Sequence, residues 1–458
     1  MGNLFRRSVL RGSLGFAATA PLARPYITKA EAVTATAWFA QGFIPEEDAA
    51  FRKLVADYEK ASGNKIELSL TPFAALRQKI VSALTSGVVP DLIDATPAEI
   101  IPINAWSGNL LDVTDVVETQ KSHFSETALL AAQCYNSAEK RRSFYGIPYK
   151  GAVGPFHVWG SLVEKAGYKV ADIPNTWDAF CDFFKPVQDK LRSLGMRHVY
   201  GLGYQLTTNG VDPNNTFHAF LIAYGGQGIV TKDGVLHSDD PKVQEAAAKA
   251  LVSLTTPYKQ GYVPPGAINW NDADDNNAFH ARQIVMDFDF TISTELAMFH
   301  DEQAYQEMVT LAIPLSNEGK ELPSQNAVAQ FFIPKGAKNA EVAKDFAKFV
   351  IQPKVVGEYL KAGLGRSLPV MPSLAKDDPF WLDPKDPHVP PYTRQGLLGP
   401  TVPLYYVFNP AYGQVQTEHV WGVAMADIMK GGLAPEQATA KAFKRIEEIF
   451  AKYPIVQT

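Results

Sequence analysis

From residue 33 onward, the hydrophobic positions of the chain follow two alternating periods. Residues 33–40 carry small, β-branched and aromatic side chains without charge, glycine or proline, which predicts a first strand. Between residues 46 and 62 the apolar side chains recur at helical spacing: Phe51, Leu54, Val55 and Tyr58. This stripe predicts a helix that buries one face. Gly63 follows it, and glycine readily adopts the left-handed conformation that ends a helix.

The same alternation of strand and helix then repeats. Residues 65–70 alternate apolar and polar side chains, residues 73–84 return to helical spacing before Gly87, and residues 92–93 begin a third strand. This order predicts a parallel sheet with right-handed crossovers. Such sheets bind ligands at the carboxyl ends of their strands, so we expect ligand contacts from the residues at these ends. They are Gln41, Phe73, Asp94 and Thr96.

A second set of α/β elements further along the chain predicts a second lobe. It follows a tight loop at residues 145–149 and includes helices near residues 177–194 and 240–254. Residues 284–286 and 328–333 are predicted as extended returns between the lobes, and several crossings of this kind form a hinge. The 458 residues also exceed the roughly 250–300 at which a single core stops growing. Helices are predicted to the end of the chain, and the last one buries Ala438, Ala442, Ile446 and Ile449.

The first 32 residues have the features of an export signal. Arg6 and Arg7 form an arginine pair, a weakly apolar stretch follows at residues 14–23, and small residues at 30–32 resemble a cleavage site. The apolar stretch is shorter than the roughly 20 residues that a membrane span requires. We therefore predict a cleaved twin-arginine signal and a mature protein in the periplasm.

Charge argues against nucleic acid as a partner. The chain has 43 basic and 48 acidic residues, a formal net charge of −5, and removal of the signal lowers this charge to −9. Binding to phosphate backbones requires a concentrated basic face, whereas the basic residues here are dispersed.

The two cysteines, Cys134 and Cys181, leave two alternatives open. Both lie in segments predicted to be helical, and an oxidising compartment permits one bridge between them. The aromatic neighbours of Cys181 favour the other alternative, in which both are small buried apolar residues.

Seven short motifs occur in order along the chain. They are SGVVPDLI at 86–93, YGIPY at 145–149, PNTWD at 174–178, AYGG at 223–226, FHARQIVM at 279–286, GRSLP at 365–369 and GLAPEQA at 432–438. With these motifs the chain resembles the extracytoplasmic solute-binding proteins of ABC importers, specifically the family 1 group that includes the maltose- and oligosaccharide-binding proteins.

The resemblance implies an α/β fold of the two-lobed periplasmic-binding-protein type (type II), each lobe a sheet flanked by helices, with a hinge that the chain crosses several times. The predicted divisions are 1–32 for the signal, 33–149 plus 284–327 for lobe 1, and 150–283 plus 328–458 for lobe 2. The resemblance further implies a monomer, without cofactor, that captures a carbohydrate or related polyol. This monomer would deliver the solute to an ABC permease in the inner membrane and would not act as an enzyme.

The chain departs from the family pattern after Met286. Many family members have a glycine and a tryptophan soon after this position, whereas Asp287 and Asp289 follow here. Two carboxylates on one side of an extended segment can accept hydrogen bonds from sugar hydroxyls, and charge-assisted bonds are strong. The alternative is a solvated or capping pair.

The other candidate ligand-binding residues are aromatic, basic or part of a motif. Trp270 lies in a polar loop, where its ring can stack on a pyranose. Arg366 follows two glycines and can clamp hydroxyls or an anion. The remaining candidates are Tyr149, Lys150, Tyr204, Gly226 and Tyr412. For each aromatic candidate, core packing is the alternative.

Two further functions stay open at this point. One is an exported glycan-active enzyme with Asp287 and Asp289 as acid and base, about 7 Å apart on a strand. The other is the same fold with a polyamine, phosphate ester or sulfonate as solute, where Lys150 and Arg366 would contact an anion.

The acidic run at residues 272–276 does not match a calcium loop. Asn277 stands where glycine is needed and Gln283 where a bidentate glutamate is needed. We therefore predict a solvated helix start and no metal site.

Overall fold

The computed structural model describes residues 32–95, 99–208 and 210–456. Except for Ala32, the predicted export signal lies outside these residues, as does Thr96. None of the helices within these ranges has the length and apolar character needed to cross a membrane.

Thirteen strands occur in the described residues. They are β1 (Thr34–Ala40), β2 (Lys65–Thr71), β3 (Leu92–Ala95), β4 (Gln133–Asn136), β5 (Arg141–Phe144), β6 (Ile147–Lys150), β7 (Phe156–Trp159), β8 (Tyr200–Gly203), β9 (Ile284–Phe288), β10 (Met308–Leu311), β11 (Ser324–Asn326), β12 (Ala329–Phe332) and β13 (Thr401–Pro403).

The α-helices of the described residues cover both lobes. They are α1 (Pro45–Ser62), α2 (Phe73–Ser86), α3 (Ile100–Trp106), α4 (Thr114–Val117), α5 (Glu126–Ala132), α6 (Gly160–Lys165), α7 (Trp177–Ser193), α8 (Asp212–Ala223), α9 (Pro241–Lys259), α10 (Asp274–His280), α11 (Ser293–Leu296), α12 (Glu302–Glu307), α13 (Ala340–Val350), α14 (Pro353–Ala362), α15 (Pro372–Asp377), α16 (Val389–Thr393), α17 (Ala411–Thr417), α18 (Val420–Met429) and α19 (Pro435–Phe450).

The first sheet has the strand order β2-β1-β3-β12-β6. β1 pairs in parallel with β2 and β3, as the alternation of strands and helices predicts. Every second residue of β1 is buried, and the ring of Phe39 lies 4.3 Å from that of Phe51 on α1. The strand period and the helix period therefore meet in one core beneath the sheet.

The second sheet has the strand order β10-β7-β9-β8. β7 is antiparallel to β9 and β10, and β8 is parallel to β9. All five residues of β9 are buried, which fits a central strand covered on both faces.

Two segments connect the sheets side by side. Residues 151–155 lead from β6 of the first sheet to β7 of the second, and residues 312–328 lead from β10 of the second sheet, through β11, back to β12 of the first. Ala152 and Ala327 exchange backbone hydrogen bonds of 3.1 and 2.8 Å, and Gly151 and Leu368 do the same at 2.8 and 2.9 Å. The chain thus crosses between the two lobes more than once.

Most predicted elements are confirmed, and the stops of the first two helices are confirmed in detail. Gly63 and Gly87 have φ angles of 81° and 75°, the left-handed region that glycine enters at little cost. The predicted tight loop at 145–149 is wrong in part, because Ile147–Lys150 is a buried edge strand of the first sheet.

Strand pairing groups three strands differently from the predicted division of the chain. β9 and β10, both in the segment predicted for lobe 1, lie in the second sheet, and β12, in a segment predicted for lobe 2, lies between β3 and β6 in the first sheet. Periodicity identifies a strand but does not encode which sheet accepts a returning chain. The limits of the lobes themselves stay a prediction.

Both cysteines are free in the structure, so the bridge between them is absent from the described residues. Cys134 lies in β4 and not in the predicted helix, whereas Cys181 lies in α7. Burial raises the pKa of both thiols to about 12, which makes them poor nucleophiles.

A buried carboxyl at the start of α3 gives stability a specific pH dependence. The side chain of Glu99 is 7 % exposed and pairs with Arg77 at 2.8 Å. Burial outweighs this partner and raises the pKa of Glu99 to about 7. Since the folded pKa is above the ordinary value of 4.5, stability falls as the pH rises from 4.5 to 7.

We expect Glu99→Gln to remove this loss of stability. The free energy of unfolding of the variant, relative to the unchanged protein, should increase between pH 5 and pH 8 by on the order of 3 kcal/mol. Urea denaturation at several pH values measures the difference. The exposed Glu126→Gln variant serves as control, and parallel curves for Glu99→Gln and the unchanged protein would contradict the prediction.

Candidate ligand-binding site

A cavity of about 190 Å³ lies where the connecting segments pass between the two sheets. Gly151, Ala152, Ala327 and Val328 of those segments form part of its lining. From the side of the first sheet the lining includes Phe43, Phe73, Lys150 and Arg366. From the side of the second sheet it includes Asp212, Asn215, Asp272, Asn276, Asp289 and Phe290. The cavity therefore has a basic, aromatic wall and an acidic wall.

Glu47 on α1 organises the basic wall. Its carboxylate accepts hydrogen bonds from Lys150 Nζ at 2.8 Å and from Arg366 Nη1 at 2.9 Å. The three side chains are only 7 to 12 % exposed. Burial raises the pKa of Glu47, but the charges of Arg366 and Lys150 outweigh burial and lower the pKa to about 2. Glu47 thus holds both cations in place and leaves this wall with a net positive charge.

Arg366 lines the cavity, and its hydrogen-bonding capacity is not fully used within the described residues. Its Nε atom has no hydrogen-bond partner among the described residues. The guanidinium lies 4.5 Å from the ring centroid of Phe43, a cation–π contact. Phe43 itself is 64 % exposed and lines the cavity, so the face of its ring is open to a solute.

Two carboxylates of the acidic wall converge with a third that is fully buried beside it. Asp212, Asp275 and Asp289 each place an oxygen within 4.8 Å of the other two. Gln205 Nε2 donates hydrogen bonds to Asp212 at 2.9 Å and to Asp275 at 2.5 Å. Asn276 Nδ2 donates to Asp289 at 3.3 Å.

Burial and mutual repulsion raise the pKa values of this group. Burial and the charge of Asp289 raise the pKa of Asp275 to about 8. Burial raises the pKa of Asp289 to about 6, with His157 opposing the shift. The pKa values of Asp212 and Asp287 lie well above their ordinary value, chiefly because of burial.

A charged pair beneath the acidic wall fixes Asp289. His157 Nδ1 donates to Glu295 at 2.6 Å, and His157 Nε2 donates to the backbone carbonyl of Asp289 at 3.3 Å. Because both ring nitrogens donate, His157 carries a positive charge. Burial lowers the pKa of His157, but Glu295 outweighs burial and raises it.

The structure brings four of the predicted site residues together at the cavity: Phe73, Lys150, Asp289 and Arg366. Gln41 is exposed, next to the loop that carries Phe43. Asp94 lies beneath the basic wall and accepts a hydrogen bond from Tyr149 at 3.0 Å. Asp287 is fully buried beside the acidic wall, so the two aspartates do not both face the cavity.

The remaining predicted residues lie away from the cavity lining. Tyr149 stacks on Phe331 at 3.9 Å, in the core of the first sheet. Tyr204 packs against Phe220, and Tyr412 contacts His218 and Trp421, all fully buried. Gly226 contacts Leu221, and Trp270 lies beside Gly266. The core alternative therefore describes the packing of the three tyrosines, while ligand contact by any predicted residue stays a prediction.

Sequence reasoning missed Phe43, Glu47, Asp212 and Asp275. Phe43 had a usable signal, because it follows Gly42 at the carboxyl end of β1. Asp275 was predicted to be solvated, but it is 0 % exposed. The start of α10 is correct, and the prediction of solvation is wrong because α10 packs this residue against Gln205.

Solved structures with the same fold are bacterial binding proteins. A solute-binding protein of Thermotoga lettingae bound with α-D-tagatose has a TM-score of 0.72 and 19 % identity, with 91 % of this chain and 100 % of that chain covered. A sugar transporter from Arthrobacter chlorophenolicus with bound laminaribiose has a TM-score of 0.71 and 15 % identity, with 93 % of this chain and 100 % of that chain covered. The maltotriose-binding protein of Thermus thermophilus has a TM-score of 0.67 and 20 % identity, with 91 % of this chain and 100 % of that chain covered.

These likenesses confirm the predicted two-lobed fold of periplasmic binding proteins. No curated protein sequence matches the chain. The sequence model described as bacterial extracellular solute-binding protein matches residues 53–391. This match spans well over half of the chain and includes strands of both sheets, and the chain therefore belongs to the family of bacterial extracellular solute-binding proteins.

Proposed function

We propose that the protein binds a carbohydrate or related polyol in the cavity between its two lobes and delivers it to an ABC permease in the inner membrane. The observation that carries the proposal is the composition of the cavity wall. Exposed Phe43 and partly exposed Phe73 offer ring faces beside the charged groups of Lys150, Arg366 and Asp289. A sugar presents the matching pattern, because its ring has an apolar face and a rim of hydroxyls that donate and accept.

Ligand capture follows from a shift between open and closed arrangements. A solute that contacts both walls stabilises the closed arrangement by its differential affinity for that state. The paired segments at Ala152 and Ala327 support a hinge at this point, because short connections between sheets absorb a domain rotation. We infer lobe 1 around the first sheet and lobe 2 around the second, with the boundaries at these segments.

The test combines calorimetry with small-angle scattering. The probes are tagatose, maltose, laminaribiose, maltotriose and sorbitol, with spermidine and glucose 6-phosphate as non-sugar and anionic comparisons. We expect micromolar binding of at least one neutral sugar or polyol, about 8 kcal/mol, and a decrease in the radius of gyration on binding. Binding without compaction would exclude hinge closure. Binding of spermidine or the phosphate ester alone would favour the alternative solutes.

Phe43→Ala tests the aromatic contact. Stacked rings contribute about 0.5–1.5 kcal/mol beyond burial, so we expect the variant to bind the solute roughly 2- to 12-fold more weakly. Phe299→Ala is the matched control, because Phe299 is also exposed but lies outside the cavity lining. Equal affinities of the Phe43 variant and the unchanged protein would show that Phe43 does not contact the solute.

Export and assembly form part of the proposal. We infer periplasmic location through a cleaved twin-arginine signal, supported by Arg6 and Arg7 before a short apolar stretch. Replacing both arginines with lysine should abolish export, which fractionation measures. We also infer a monomeric binding protein without catalytic activity. Light scattering tests the monomer, and turnover of a labelled oligosaccharide would reverse the assignment in favour of an enzyme.

A further inference from the structure

Three carboxylates from distant parts of the chain meet at the acidic wall, two of them in the cavity lining and the third, Asp275, fully buried beside it. Asp212 is the first residue of α8, Asp275 is the second residue of α10, and Asp289 follows β9. One oxygen of each lies within 4.8 Å of the oxygens of the other two. Repulsion between the carboxylates opposes this arrangement unless protons or a cation neutralise the charge.

No lysine or arginine forms an ion pair with these carboxylates within the described residues. The ion pairs of that part of the chain do not include Asp212, Asp275 or Asp289. The side-chain donors that contact them are the neutral amides of Gln205 and Asn276. His157 is committed to Glu295 and to the backbone of Asp289. Buried charges in proteins are normally paired or bound to a metal ion. The charge of His157 is already matched by Glu295, so the three carboxylates have no counter-charge of their own in the described residues.

Buried polar atoms without partners point to the same place. Gln205 is 2 % exposed, and its amide faces the cluster because Nε2 donates to two of the three carboxylates. Its Oε1 atom has no partner among the described residues. Rotation of the Gln205 side-chain amide by half a revolution would exchange its two atoms and turn Oε1, in place of Nε2, toward the carboxylates. Asp287 is 0 % exposed, and its Oδ2 atom also lacks a partner there.

We propose that Asp212, Asp275, Asp289 and Gln205 form a binding site for a hard divalent cation of the calcium type. The donor atoms are carboxylate and amide oxygens without imidazole or thiolate, the set that favours Ca²⁺ over Zn²⁺. Ca²⁺ takes oxygens at about 2.3–2.6 Å, so two ligands on opposite sides lie about 4.6–5.2 Å apart. Oxygens that lie within 4.8 Å of one another fit this span, and a set of ligands supplied by the protein suits Ca²⁺ better than Mg²⁺, which usually keeps several waters.

The site differs from a calcium-binding loop in its construction. Of the acidic run at residues 272–276, only Asp275 contributes a ligand. Asp272 instead accepts backbone hydrogen bonds from Val211 at 2.6 Å and Asp212 at 3.3 Å, which fixes the start of α8. Asp212 and Asp289 also line the cavity, so open coordination positions of the ion would face the solute.

The experiment titrates Ca²⁺ alone into the chelator-treated mature protein by calorimetry. We expect one bound ion per chain, weaker binding of Mg²⁺ and Zn²⁺, and a higher melting temperature in Ca²⁺. Asp275→Asn keeps the shape and should weaken Ca²⁺ binding at least 100-fold. Asp274→Asn is the matched control, because the Asp274 carboxylate accepts a hydrogen bond from the backbone N–H of Asn271 and lies outside the cluster.

Several results would overturn the site. These are no calcium binding at millimolar concentration, tighter binding of Zn²⁺ than of Ca²⁺, or equal losses in the two variants. If Asp275→Asn does not fold, Asp289→Asn replaces it with the same expectation. The titration needs no sugar, so its failure leaves the proposed transport function untouched, and failure of the sugar panel leaves the cation site untouched.

Discussion

Replacing Glu47 with alanine is expected to lower the free energy of unfolding by about 3–5 kcal/mol, because removal of one partner leaves buried charge without compensation. Lys150 and Arg366 both depend on this carboxylate, at 2.8 and 2.9 Å. Urea denaturation at pH 7 measures the change. The variant should also lose solute affinity, since the two cations of the basic wall are no longer held toward the cavity.

The neighbouring Glu46→Ala variant provides the control. Glu46 lies in the same first turn of α1, but its carboxylate pairs with the exposed His300, at 3.2 Å, and not with a buried cation. We expect a change within about 0.5 kcal/mol for this surface position. Comparable effects of the two variants would mean that helix-terminal charge, and not the buried triad, accounts for the loss.

The contribution of Glu47 also has a defined pH window. Its folded pKa of about 2 is below the ordinary value of 4.5, so the stabilisation is present above pH 4.5 and is lost as the pH falls toward 2. The difference in stability between the unchanged protein and Glu47→Ala should therefore shrink over this range. A constant difference would contradict the assignment of charge to Glu47.

The second large effect is expected for Glu295→Gln. Glu295 on α11 accepts hydrogen bonds from His157 at 2.6 Å and from Thr310 at 2.7 Å, and all three side chains are nearly or fully buried. The isosteric amide keeps the volume but removes the charge that stabilises protonated His157. We expect a loss of about 3–5 kcal/mol at pH 5.5, measured by urea denaturation.

The loss of stability in Glu295→Gln depends on pH, because both members of the charged pair titrate. The pKa of Glu295 is lowered to about 2, because His157 outweighs the effect of burial, so its contribution is complete above pH 4.5. The pKa of His157 is raised above 6.5, so its contribution is complete below 6.5 and is lost at higher pH. The effect of Glu295→Gln should therefore be largest between pH 4.5 and 6.5. The exposed Glu302→Gln variant is the control, and a difference that continues to grow above pH 8 would exclude the charged pair.

These two buried networks explain how one cavity keeps walls of opposite charge. Glu47 holds two cations on the side of the first sheet, and His157 holds the backbone of Asp289 on the side of the second. Each network is closed within its own wall, so a solute or ion can bind between the walls without breaking it. Such preorganisation reduces the entropy that binding must overcome.

The sequence by itself determined the local elements and the family. The helical stripe of Phe51 and Tyr58, the alternation in β2 and the left-handed Gly63 depend on residues that are neighbours in the chain. Periodicity reports such short-range geometry directly. The sequence also predicted Lys150, Asp289 and Arg366 as ligand contacts, because polar residues at the ends of strands and after glycines are prominent, and all three line the cavity.

Only the tertiary structure decided which charges meet. Glu47 is one of three consecutive acidic residues at the start of α1, and the sequence does not distinguish it from the other two. In the structure it is the one that is buried against Lys150 and Arg366, which lie 103 and 319 positions later in the chain. In the sequence, Asp275 is likewise one member of an acidic run. Only the fold brings Asp212 of α8 and Asp289, which follows β9, beside it. Strand pairing likewise places β9 and β10 in the second sheet and β12 in the first, which periodicity along the chain does not encode. The reason is the same in each case, since electrostatic contact and burial depend on distances in space that spacing along the chain does not encode.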